Sequence, residues 1–100
     1  MNLIKAFKKQ SIGTNKIHLK SKDIYAVQTG DYAGEMFIYI EDINDSHCFL
    51  SIPNMVNRVI SFDKFKFAID NNIVEKVNEE LPKQVYSLCT AQYKRNRENK

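Results

Sequence analysis

The sequence predicts an α+β domain, an antiparallel β-meander of four to five strands followed by one or two C-terminal helices. Three observations carry this. Between residues 15 and 61, runs of β-branched and aromatic residues alternate with clusters of turn formers. After Pro82 the apolar residues change to helical spacing. A chain of 100 residues with 43% hydrophobic and 27% charged residues has the size and balance of one globular unit. The expected division of residues 1–100 is a basic N-terminal segment (1–14), the meander (15–61), a helical part (62–97) and a basic tail (98–100).

Each element has a local reason. "NKIHLK" sets Ile17 and Leu19 between polar neighbours, and "DIYAVQT" continues with β-formers, so both read as strands. "EMFIYIED" is apolar on both faces, as a central strand would be, and "HCFLSI" is a further strand stopped by Pro53. "TGDYAG" and "INDS" are the turns between them. "RVISF" reads as a fifth strand. From about Asp63 two periods compete: "KFKFAI" alternates, while Phe62, Phe65, Ile69, Ile73 and Val77 fall on one helical stripe. The helical reading is preferred, with a break near Asn71 and a second start at Asn72, where Glu75 completes a capping box for a helix running to Glu80. Pro82 suits the first turn of the last helix, whose stripe is Val85, Leu88, Cys89 and Tyr93.

Charge is segregated along the chain. Met1–Lys22 holds six lysines and no acid, Asp23–Pro82 holds eleven acids against four bases, and the remainder holds five bases against Glu98. Basic ends around an acidic middle either steer partners by opposed potentials or fold back to neutralise one another. The longest apolar run, Met36–Ile40, falls far short of the roughly 20 residues that cross a bilayer. Near the N-terminus Leu3, Ile4 and Phe7 have helical spacing but form no secretory signal. The expected compartment is the cytoplasm, with no membrane partner, reduced thiols at Cys48 and Cys89, and an idle sequon at Asn44-Asp45-Ser46.

The chemistry-bearing residues are few and scattered. Gly30 and Gly34 bracket Asp31-Tyr32-Ala33 between two strong strands, which is where a hairpin needs positive φ. The spacing of Val27, Gly30 and Gly34 resembles the opening of the KOW motif, a strand–loop–strand element of some ribosomal and transcription proteins. The resemblance is confined to Val27–Ile40 and departs from the pattern at Phe37, where a further glycine is expected, so the chain is not assigned to that family. His18, His47, Cys48 and Cys89 lack the spacing of a zinc site, and His47 and Cys48, adjacent on a strand, point to opposite faces. Asp42, Asn44 and Ser46 alternate as in a calcium loop, but His47 and Pro53 stand where an EF-hand has glycine and glutamate. None of the three glycines lies in a phosphate-binding motif.

No enzyme activity, cofactor or metal is therefore expected. The expected function is a non-catalytic protein-binding module, an adaptor or inhibitor of a larger protein. Its contacts would be Asp31 and Tyr32 on the hairpin loop and Tyr39 on an aromatic-rich sheet that also holds Tyr25 and Phe37. The bias toward Lys, Asn and Ile points to an AT-rich genome and, with the small size, to a bacteriophage or mobile-element accessory protein. The alternative is a nucleic-acid-binding protein that uses the basic N- and C-terminal segments, in which Lys94, Arg95 and Arg97 meet phosphates and Tyr93 stacks on a base. Pairing of exposed strands into a homodimer is a further expectation.

Overall fold

Side chains alternate across a strand, and here the alternation divides the apolar residues between two cores on opposite faces of one sheet. The computed structural model describes residues 17–99; the N-terminal expectations for Leu3, Ile4, Phe7 and the lysines up to Lys16 lie outside them, as does Lys100. The strands are β1 (Ile24–Val27), β2 (Met36–Ile43), β3 (Ser46–Ile52), β4 (Val56–Ser61) and β5 (Val74–Lys76), and the helices are α1 (Phe62–Asp70) and α2 (Lys83–Glu98). The sheet order is β4-β3-β2-β1-β5, antiparallel throughout. The first face carries Tyr25, Val27, Phe37, Tyr39, Phe49 and Val74 under Phe65 of α1. The second carries Ile24, Ile38, Cys48 and Leu50 under Cys89 and Tyr93 of α2.

The expected α+β architecture is present, with β1 to β4 as the meander. Gly30 and Gly34 have φ of 92° and 90°, so the β1–β2 hairpin uses the backbone freedom that only glycine supplies at no steric cost. The Asn44-Asp45 turn joins β2 to β3, with Asn44 at φ 55°. A register shift between Tyr39 and Glu41 leaves Ile40 as the extra residue of a bulge.

Four local expectations are corrected. Ile17–Leu19 is irregular, because β5 occupies the edge of β1 that such a strand would join; Ile17 and Leu19 pack on the first core instead. The chain then turns at Lys20–Asp23, where the Asp23 carboxylate accepts from the Lys20 N–H at 3.0 Å. No helix starts at Asn72: that residue stands at φ 59° and ends α1, with Asn72 N–H donating to Ile69 C=O and Ile73 N–H to Ala68 C=O. This is a Schellman termination with asparagine at the left-handed position. It returns the chain to the sheet, where Gln28 N–H captures Ile73 C=O at 2.7 Å and Val74–Lys76 become a strand. Helix α1 begins at Phe62, the first residue of the expected helical part, because Ser61 caps it, its Oγ accepting from Lys64 N–H. In α2, Pro82 is the residue before the first turn, and the packed stripe runs through Tyr86, Cys89 and Tyr93, which leaves Val85 and Leu88 exposed.

Candidate interaction surface

Helix α1 follows the last residue of β4 and ends just before β5, whose Val74 pairs with Val27 at the other edge and the other end of the sheet. A helix taking that route leaves one corner of the first face open, where the β1–β2 loop meets the late part of β3 and the early part of β4. Four side chains converge there. Arg58 of β4 donates from Nε to Glu35 Oε1 at 3.1 Å and from Nη2 to Glu35 Oε2 at 2.9 Å, a forked ion pair. Ser51 Oγ donates to Glu35 Oε1 at 2.6 Å. The Arg58 guanidinium lies 3.9 Å from the centroid of the Tyr32 ring, close enough for cation–π attraction.

The loop that delivers Tyr32 is tied down by its own backbone. Gly34 N–H donates to Val27 C=O at 2.9 Å, Glu35 N–H to Tyr32 C=O at 3.0 Å and Ala33 N–H to Gly30 C=O at 3.2 Å. Tyr32 is nevertheless 41% exposed, and a cavity of about 240 Å³ lies beside it, walled by Gly30, Phe37, Ala68 and Ile73. The aromatic ring is thus held in one position while its outer side faces solvent.

The forked hydrogen bonds from Arg58 hold the Glu35 carboxyl below the ordinary glutamate range; burial pushes the other way and the Ser51 hydroxyl adds to the lowering. A depressed folded-state value means that Glu35 adds stability above its unfolded pKa of about 4.5, and that this contribution is lost as the pH falls through the lower folded value. Glu35→Gln is therefore expected to be less stable than wild type at neutral pH and to close the gap under acid, as measured by urea unfolding at a series of pH values.

The other predicted contacts are dispersed. Asp31 is exposed on the same loop as Tyr32. Tyr39, with Tyr25 and Phe37, is not on an open sheet face but in the first core, because α1 covers that part of the sheet. The Tyr39 hydroxyl donates to Asp42 Oδ1 at 2.9 Å, and burial followed by Asp42 raises its pKa. Tyr93 is buried in the second core and its hydroxyl donates to Glu41 Oε2 at 2.9 Å, so its ring has no face for a base. Arg97 Nη1 donates to the same carboxylate oxygen at 3.1 Å, while Lys94 and Arg95 are exposed.

The candidate ligands and nucleophiles do not meet either. His18 is exposed, His47 is buried on the first face, and Cys48 and Cys89 are buried free thiols on the second. Burial pushes the Cys89 thiol up, away from the thiolate. His47 Nδ1 lies 2.7 Å from Asp42 Oδ1, and its ring sits 4.6 Å from Phe62 and 5.1 Å from Phe65, which makes it a packing element. Among the described residues no three His, Cys, Asp or Glu side chains gather as metal ligands do, and no helix is long and apolar enough to cross a membrane.

Sequence reasoning found Tyr32 but missed Arg58, Glu35 and Ser51, which come from three different strands or their flanks. The available signal was Arg58 itself, the first Lys or Arg after Lys22, at the head of the strand-like run "RVISF". No protein family, curated protein or solved structure matches the chain.

Proposed function

We propose that the chain is a non-catalytic protein-binding module, an adaptor or inhibitor of a larger protein, that docks through the Tyr32–Arg58 corner. The observation that carries this is the exposed Tyr32 ring clamped under a guanidinium that is itself forked onto Glu35. Tyrosine and arginine are the residues over-represented among interface hot spots, and a ring held in place before binding loses little entropy on docking. The Lys, Asn and Ile bias fits an accessory protein of a phage or mobile element.

Affinity capture from a host lysate, repeated with nuclease and with added salt, tests this when run beside Tyr32→Ala. The expected result is one stoichiometric protein that survives nuclease and salt and is lost with Tyr32→Ala, the loss corresponding to at least about 2 kcal/mol of binding energy. Recovery that depends on nucleic acid and falls steeply with salt would instead favour binding through Lys94 and Arg95.

A further inference from the structure

Strand β4 ends the sheet at one side, and its outer edge has no neighbouring strand among the described residues. Native edge strands are usually blunted by lysine, proline, a bulge or shortness. The opposite edge follows that rule: β5 has three residues, two of them the exposed charges Glu75 and Lys76. Strand β4 does not. It is six residues long, "VNRVIS", contains no lysine or proline, and runs in unbroken register from Ser46↔Ser61 to Ser51↔Val56. Its Val59 side chain is 62% exposed and Val56 is 36% exposed.

The backbone shows which groups are on offer. Phe62 N–H donates to Asp45 C=O at 2.8 Å, one step beyond the β3–β4 ladder. Since an antiparallel strand turns alternate residues toward each neighbour, Ile60, Arg58 and Val56 bond to β3, and Asn57, Val59 and Ser61 direct their N–H and C=O outward. The Ser61 carbonyl, at the N-cap, is already the acceptor of the first helical bond. Among the described residues the groups left without a strand partner are then both of Asn57, both of Val59 and the N–H of Ser61.

We propose that this edge pairs with the β4 edge of a second copy, antiparallel and two-fold symmetric, with Val59 on the axis. In that register Val59 and its own copy exchange two backbone hydrogen bonds, and each Ser61 N–H meets the Asn57 C=O across the axis. The side chains agree with the backbone. The exposed Val59 side chains of the two copies meet on the second face, Asn57 stands opposite Ser61, and Arg58 stands opposite Ile60 of the second copy, so no like charges are opposed. Registers centred on Asn57 or Ser61 either leave the Ser61 N–H unpaired or run the strand into α1. The axis is perpendicular to the sheet, so both Tyr32–Arg58 corners lie on the same side of one continuous sheet. The dimer does not depend on what those corners bind.

Sedimentation equilibrium on the full chain tests the pairing. At about 50 μM the expected mass is twice 11.7 kDa for wild type and for Tyr32→Ala, and 11.7 kDa for Val59→Lys, which opposes two charges on the axis. Circular dichroism of Val59→Lys should be unchanged, since the substituted side chain is exposed. As a second arm that needs no folding control, Val59→Cys should form an interchain disulfide on mild oxidation while Asn57→Cys does not, because only the axial residue meets its own copy. A single-chain mass for wild type, or a dimer that persists in Val59→Lys and fails to crosslink through Val59→Cys, would overturn the proposal.

Discussion

Phe65→Ala is expected to lower the unfolding free energy by about 3–5 kcal/mol, the range for deleting a buried phenylalanine. Phe65 is fully buried, and it is the residue through which α1 grips the first face. Its ring lies 5.2 Å from Tyr25, 5.2 Å from Phe49 and 5.1 Å from His47, so truncation leaves a void among three rings that β1 and β3 hold apart. Domains of this size are stable by about 5–15 kcal/mol, so the change removes a large share of the total. Phe67, two residues along the same helix and 61% exposed, supplies the control. Its replacement by alanine should stay within about 0.5 kcal/mol, and urea unfolding of the two variants side by side measures the difference.

Tyr93→Ala is expected to cost about as much, roughly 3–5 kcal/mol, by loosening α2 from the second face. The ring is almost fully buried, and its hydroxyl donates to Glu41, the carboxylate that also receives Arg97. Its backbone carbonyl accepts from Asn57 Nδ2 at 3.0 Å, a bond that survives the substitution, so the helix should remain tethered near β4. Tyr93→Phe keeps the packing and removes one hydrogen bond to a carboxylate, a loss of about 1–3 kcal/mol. Thermal unfolding of both variants checks the order. A residue that served only to stack on bases would leave stability unchanged when replaced.

The contrast between these two residues and Tyr32 shows what was readable in the chain. Period-two alternation and turn residues were enough to place β2, β3 and both hairpins, because there the pattern and the local chemistry agree. Over residues 72–80 the local pattern misleads, because a capping box and a Schellman terminus draw on overlapping residue types and an edge of β1 distant in sequence decides between them. The same distance hid the candidate site. Glu35, Ser51 and Arg58 become neighbours only through the ladders β2–β3 and β3–β4, so no local window contains them. Aromatic rings posed the opposite difficulty. Tyr25, Tyr32, Tyr39 and Tyr93 look alike as residues, and only the paths of α1 and α2 decide that three are core and one faces solvent. Likewise the stripe expected for α2 is rotated from the packed one: Tyr86 joins Cys89 and Tyr93 on the second core, while Val85 and Leu88 face solvent.

Docking at the open corner of the first face, as proposed, would leave a footprint on the backbone there. Amide hydrogen exchange of the chain, alone and saturated with the protein recovered by capture, tests it most directly. New protection is expected in Thr29–Phe37 and around Arg58, with the Lys94–Arg97 turn of α2 exchanging as before. Protection confined to that turn, with Thr29–Phe37 unchanged, would contradict it.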